Sequence, residues 1–317
     1  MINQIQKAVQ AIKDGKLVIF PTETVYGIGA DATNEKAVRS IYSAKNRPTQ
    51  NPLIVHCASL EKAKELAFFH EDAIKLAQQF WPGSITLILS KNKHADLATD
   101  VTAGLETVGI RVPYHPTAQK FLRAVDRPIA APSANISGQV SATQTRHIKE
   151  ALSSHVHCVL EGGRSQVGIE STIIDLSIYP YVIRRLGKIT YQEVERILPN
   201  KIIKTHIHKE KNRLLSPGLM LKHYAPNLPV YLNAKTVHSH QALLTFGSQM
   251  IVGAKKVFNL SQKGCLVEAA HNLYHMLQEA DKSGCSSIAV VEIPNHGIGE
   301  AINDRLCRAA YKDEREK

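Results

Sequence analysis

The chain has 317 residues, 44% of them hydrophobic and 21% charged, a balance that excludes a disordered or membrane-embedded protein and leaves a soluble chain large enough for two domains. A formal charge of +11 points to polyanionic partners, meaning nucleic acid, nucleotide or pyrophosphate. Cys57, Cys158, Cys265, Cys285 and Cys307 lie far apart without the close spacing of a zinc or redox motif, which predicts free, mostly buried thiols.

In chain order, Ile2, Ile5, Val9 and Ile12 share one helical face, and Gly15 ends that helix. The opening residues carry no apolar core of signal-peptide length, so a cytoplasmic location without membrane contact is expected. A strand over 17–20 exits into Pro21-Thr22-Glu23-Thr24-Val25-Tyr26-Gly27, a polar cluster where α/β proteins bind ligands. Ala37, Val38, Ile41 and Tyr42 mark a second helix. Lys45-Asn46-Arg47-Pro48-Thr49-Gln50-Asn51-Pro52 then precedes a strand over 53–57. Two cations two residues apart in a proline-stiffened loop suit a di- or triphosphate, with arginine as planar fork and lysine as point charge; a pair of surface cations is the alternative.

A helix over 72–80 stops at Trp81-Pro82-Gly83, followed by strands at 84–89 and 108–112 and a helix at 117–125. A buried strand at 128–131 runs into Pro132-Ser133-Ala134-Asn135-Ile136-Ser137-Gly138. The hydroxyls and amide of that loop either bind ribose, phosphate or carboxylate, or satisfy their own backbone. Strands at 156–160, 171–176 and 181–185 complete a mixed sheet, and the first domain ends near Gly187. The turns Gly162-Gly163 and Gly168-Ile169 match no Walker A loop, and no dinucleotide fingerprint follows a strand.

Ten Lys or Arg between Arg184 and Lys222 face three acids, which reads as a solvated basic linker because no aromatics are interleaved for base stacking. His155 with His157, and His206 with His208, put imidazoles on one strand face, but no third ligand is near in sequence and solvent-facing histidines are expected. Regular patterning dissolves over 199–215, and Ser216-Pro217-Gly218-Leu219-Met220-Leu221-Lys222-His223-Tyr224-Ala225-Pro226 suggests a docking segment, plausibly a lid. Strands at 230–232, 242–246, 256–260 and 287–293 with helices at 267–280 and 300–311 predict a small second α/β domain.

Taken in order, PTETVYGIGADA, K-x-R-P with NPL-x-VH, GIRVP, PSAN-x-SG, ESTIIDL, SPG with HYAP, and AINDRL-x-RAA make the chain resemble the threonylcarbamoyl-AMP synthases, in their long two-domain form with a YrdC-type catalytic domain. The resemblance covers almost the whole chain. It implies an α/β fold, a YrdC-type twisted mixed sheet with flanking helices over 1–188, then a basic linker and active-site lid over 189–228, then a smaller Rossmann-like α/β domain over 229–317. The implied reaction takes L-threonine, bicarbonate and ATP to threonylcarbamoyl-adenylate and pyrophosphate, with Mg²⁺ entering on the nucleotide.

Carried over by position, Lys45 and Arg47 are the catalytic cations, and Thr24, His56, Arg111, Ala131 and Ser171 form the threonine pocket. Lys45, Arg47, Asn51, Thr107, Ser133, Asn135, Ser141, Arg185 and Tyr224 contact ATP, and no protein-bound metal is expected. The implied partners are the three substrates, a weak contact with tRNA and a downstream threonylcarbamoyl transferase. Asn46 stands where the family often has glycine, Leu186 replaces a usual proline, and Leu219 and Lys222 replace a usual Met and Arg. Glu23 is a base by location only. The competing functions are RNA binding without catalysis, a carbamoyl transferase of the hydrogenase-maturation type, and a regulatory nucleotide site in the second domain. Chains of the hydrogenase-maturation type carry Cys-x-x-Cys zinc modules and an acylphosphatase unit, neither of which is seen here.

Overall fold

The structure, a computed structural model, describes residues 2–204, 223–248 and 251–311. The first α/β alternation builds one ten-stranded mixed sheet. From edge to edge it runs Ile202–Lys204, Tyr181–Arg185, Thr172–Asp175, Ile85–Ser90, Thr107–Arg111, Ile54–His56, Ile129–Ala130, Gly27–Asp31, Val18–Phe20 and Cys158–Val159. Amphipathic helices Ile2–Lys13 and Pro116–Val125 meet over one part of it, burying Ile5, Ala8, Ile12, Phe121 and Leu122 against Phe20 and Ile129. Helix Glu35–Lys45 starts at Asn34, whose side chain accepts from the Ala37 N–H, and ends at Asn46 in the left-handed region with φ 50°. That conformation explains why glycine suits position 46 and why asparagine is the tolerated substitute.

A second sheet has four parallel strands in the order Val230–Tyr231, Ser287–Val290, Gln241–Thr245 and Lys256–Asn259, with helices Leu266–Asp281 and Ile298–Ala310 packed on it. Its hydrophobic core does not stop at its own residues. Val25, Val140, Val167, Ile169 and Tyr224 belong to the same cluster as Leu243, Leu273, Ile288 and Ile302, so the second unit is packed directly onto loops of the first.

Several expectations change. Residues read as linker from 189 onward begin with helix Tyr191–Ile197, opened by a Thr190/Glu193 capping box, and edge strand Ile202–Lys204, which extends the first sheet. Gly27–Asp31, which begins at the last residue of the polar cluster and for which the sequence predicts no element, is a fully buried strand. His155 and His157 are exposed in a turn rather than alternating on a strand. Of the five thiols only Cys57 and Cys285 are buried, while Cys265 and Cys307 are exposed. Arg184 and Arg185 are buried, not solvated, with Arg184 paired to Asp175 at 3.0 Å. His206, His208, Leu219 and Lys222 lie outside the described residues, as does the lid segment before His223.

Candidate active site

Strand register assembles the site. Ile54–His56 runs parallel to Thr107–Arg111 with His56 opposite Arg111, and Ile54–His56 also pairs with Ile129–Ala130. A bridge from Gly27 to Ser133 brings the Pro132–Asn135 turn over the same spot. The result is a cavity of about 50 Å³ whose walls include Thr24, Arg47, His56, Arg111, Ala131, Ser133, Ser171, Arg185 and Tyr224. Nine positions singled out from the sequence therefore meet at one place.

On one wall Arg111 donates to Thr24 Oγ1 at 2.8 Å, to Glu23 Oε1 at 2.5 Å and to the Gly83 carbonyl at 3.2 Å. Ser84 Oγ and the Tyr114 N–H also donate to Glu23, each at 3.0 Å. Glu23 is thus a buried anchor that aims Arg111, and its location does not make it a free base. His56 has its Nδ1 on the Ile54 carbonyl at 3.2 Å; burial and the Arg111 charge hold its pKa near 3, so the ring is neutral at physiological pH.

On the opposite wall Arg47 donates to the carbonyls of Asn51 at 3.2 Å and Pro52 at 3.0 Å. Burial pulls its guanidinium down to about 10, still charged at neutrality. Arg185 donates to the carbonyl and hydroxyl of Ser171, each at 3.0 Å, and Ser171 Oγ lies 2.8 Å from Thr86 Oγ1. Lys45 does not line the cavity. Its fully buried Nζ holds the carbonyls of Ser133, at 2.6 Å, and Asn135, so it buttresses the loop; burial, with Arg47 nearby, pulls its pKa well below the ordinary value.

The loop itself follows the self-satisfying alternative and still reaches the cavity. Ser133 donates to Asn135 Oδ1 at 2.5 Å, and the Asn135 amide donates to Ile136 and Gln139 carbonyls at 2.8 Å. Asn135, Ser141, Asn51 and Thr107 stand outside the lining: Ser141 donates to Glu170 at 2.6 Å, and Thr107 borders a separate small cavity beside Pro52. Asn51 is fully buried, and neither atom of its amide has a partner among the described residues.

Sequence reading gave no role to the carboxylate beneath the cavity. Glu170 accepts from Ser141, from Tyr274 Oη at 2.8 Å and from Arg305 Nε at 3.1 Å, the last two on the second unit's helices. Burial alone would raise its pKa, but Arg305, Arg185 and these hydrogen bonds outweigh it and hold the carboxyl near 2. Arg305 also lies 5.0 Å from the Tyr224 ring centroid, and Tyr224 stacks on Tyr274 at 5.6 Å. The ALA-ILE-ASN-ASP-ARG-LEU run that contains Arg305 was visible, but nothing local ties it to Glu170, 135 positions away.

Fold and site together define an α/β scaffold in which a large mixed sheet carries a basic, hydroxyl-lined cavity, with a second α/β unit packed behind its Glu170 and Tyr224. The Sua5_yciO_yrdC family model, described as telomere recombination, matches residues 10–187, and the model for the threonylcarbamoyl-AMP synthase C-terminal domain matches 189–311. The chain is 38% identical to a threonylcarbamoyl-AMP synthase of Pyrococcus abyssi over 97% of its own length and 94% of the relative's. It is 36% identical to that of Bacillus subtilis, over 97% and 93%. The crystal structure of P. abyssi Sua5 complexed with L-threonine superposes with a TM-score of 0.89 at 36% identity, covering 96% of this chain and 94% of that one. The chain belongs to the threonylcarbamoyl-AMP synthase family, in its two-unit form.

Proposed function

We propose that this protein condenses L-threonine, bicarbonate and ATP to threonylcarbamoyl-adenylate and pyrophosphate, as a nucleotidyltransferase serving the first step of threonylcarbamoyladenosine formation in tRNA. One observation carries the nucleotide half. Lys45 and Arg47 are buried together, and among the described residues their hydrogen bonds go to carbonyls and, for Arg47, the Tyr42 hydroxyl, none of them to a carboxylate. The two carboxylates at the site are committed to Arg111 and Arg305. Burial without an anion makes both groups costly to charge, which is why both pKa values are pulled down, and a polyphosphate supplies the missing charge.

The roles follow from the walls. Arg111, aimed by Glu23 and Thr24, takes the threonine carboxylate, with neutral His56, Ala131 and Ser171 around the side chain and amine. Arg47, Arg185 and Ser133 take the phosphates, and Lys45 holds the loop that carries Ser133. Asn51, buried beside Arg47 with an unsatisfied amide, and Tyr224 complete the nucleotide side. The threonine carbamate oxygen attacks the α-phosphorus, an O–P bond forms, and the bond to the pyrophosphate oxygen breaks. Such a displacement depends on alignment and charge neutralisation, which this wall provides without a nucleophilic side chain. Since the site carboxylates are already engaged, the cavity offers no protein ligand set for Mg²⁺, and any ion enters on the nucleotide's own phosphates. Cytoplasmic location, tRNA contact and hand-over to a transferase belong to the same reading.

The test is pyrophosphate release with ATP, bicarbonate and each of several amino acids. The expected outcome is release that requires L-threonine; release indifferent to the amino acid overturns the proposal.

A further inference from the structure

Away from this cavity, the packing of the two units creates a second cluster of ligating atoms that sequence spacing did not reveal. His147 closes the short helix Thr145–His147 of the first unit, while His275 and Glu279 lie one turn apart on helix Leu266–Asp281 of the second. One ligand atom from each lies within 4.8 Å of the others. His147 Nε2 and His275 Nδ1 are 3.4 Å apart, and His275 Nδ1 is 3.9 Å from Glu279 Oε1. Two nitrogens bound to one tetrahedral zinc at about 2.0–2.1 Å are separated by about 3.3 Å, so the imidazoles already stand at a coordination edge.

In the orientation its hydrogen bonding favours, the Gln144 side-chain oxygen lies 2.7 Å from His147 Nε2 and 3.4 Å from His275 Nδ1, and it accepts from Arg146 Nε at 2.6 Å and Nη2 at 3.0 Å, contacts that an incoming ion displaces to gain a fourth donor. The other ring nitrogen of His147, Nδ1, accepts from the Thr143 N–H at 3.3 Å and lies 3.2 Å from Thr143 Oγ1; ligation through Nε2 moves the ring proton to Nδ1, where Thr143 Oγ1 is placed to accept it. The cations that oppose an ion are Arg146, 61% exposed and 3.7 Å from Glu279, together with Arg164 and Lys282. An ion has to displace Arg146 from Gln144 and Glu279, and the residual charge favours moderate over very tight affinity.

We propose that His147, His275 and Glu279, with Gln144 as fourth donor, form a transition-metal site of the zinc class that pins the second unit to the first. Two imidazoles with one carboxylate exclude Mg²⁺ and Ca²⁺ as its natural occupants. The site is distinct from the nucleotide cavity, so its failure leaves the proposed reaction standing.

The experiment titrates Zn²⁺, and Co²⁺ as a visible reporter, into the chelator-treated full chain, reading bound metal and thermal unfolding. One equivalent should bind, and at roughly a hundredfold excess over Kd the Tm should rise by about 5 °C. His275→Ala, at a half-buried position, should weaken binding at least about tenfold and abolish the shift, and Glu279→Gln should act in the same direction. Absence of binding overturns the site. So does undiminished binding in both variants, which would place the ion elsewhere, such as on the stacked His238/His240 pair.

Discussion

Arg47 and Arg305 are both buried arginines, yet their partners give them opposite consequences. Arg305 neutralises Glu170, and removing one member of a buried pair strands the other at a cost of about 3–5 kcal/mol. Arg305→Met should therefore lower Tm steeply, checked by calorimetry. Among the described residues Arg47 bonds carbonyls and the Tyr42 hydroxyl but no carboxylate, so Arg47→Met should lower pyrophosphate release at least about tenfold while its Tm falls much less than in Arg305→Met. Equal Tm losses would refute the distinction. At this scale the sequence revealed residue types better than contacts. The proline-bounded Lys45 and Arg47 loop was legible, but that Lys45 turns inward onto Ser133 and Asn135 carbonyls depends on a loop some ninety positions away. The partnership of Glu170 with Arg305 is longer still in sequence and has no local trace.

Among elements, the junction between Gly168 and helix Leu266–Asp281 is the tightest. Gly168 has φ +81°, and a Cβ there would meet the Ala270 carbonyl oxygen at 2.5 Å and His271 Cα at 2.6 Å, both backbone atoms that cannot rotate aside. Gly168→Ala should push the helix off, loosen the Tyr274 bond to Glu170 two residues on, and reduce both Tm and ATP affinity. Retained Tm with unchanged KM for ATP would show that the junction tolerates the displacement. Most helices and strands were readable because their apolar spacing is regular. Gly27–Asp31 was not, since a strand buried on both faces shows no alternation, and Gly-Ile-Gly carries little strand propensity. Helix Tyr191–Ile197 was overlooked although Thr190 and Glu193 spell a capping box, because the run of basic residues dominated the reading.

For the whole molecule, buried neutral histidines set an acid limit. His56 and His223 are held near pH 3, chiefly by burial, against an ordinary value of 6.5. Between those values the unfolded chain binds protons that the folded chain refuses, so stability rises with pH in that window and falls on acidification below 6.5. Each group costs about 1.4 kcal/mol per pH unit once well below 6.5. His147 is held near 3 as well, so stability measured from neutral to acid pH should fall with a slope approaching three protons or more, and His56→Gln should remove one of them; a flat profile would contradict the assignment. Among the described residues no helix is long and apolar enough to cross a membrane. The net charge was legible from composition, but its use was not: part of it is spent inside, at Lys45, Arg47, Arg184 and Arg185.

Tyr224 bears on how tightly any nucleotide can be held. It has φ 59°, unusual for a residue with a side chain, it is 1% exposed, and its hydroxyl has no partner among the described residues. With Tyr224 packed in this way the cavity has about 50 Å³, while sites for drug-sized ligands run to roughly 300–1,000 Å³. On the proposed reaction, ATP would bind the fraction of molecules in which this ring has withdrawn, and the apparent dissociation constant would be the intrinsic one divided by that fraction. Every 1.4 kcal/mol or so favouring the packed ring weakens nucleotide affinity about tenfold. The stacking of Tyr224 on Tyr274 and Arg305 thus makes the second unit a thermodynamic dial on the first, acting through the population of an open form and without touching the substrate.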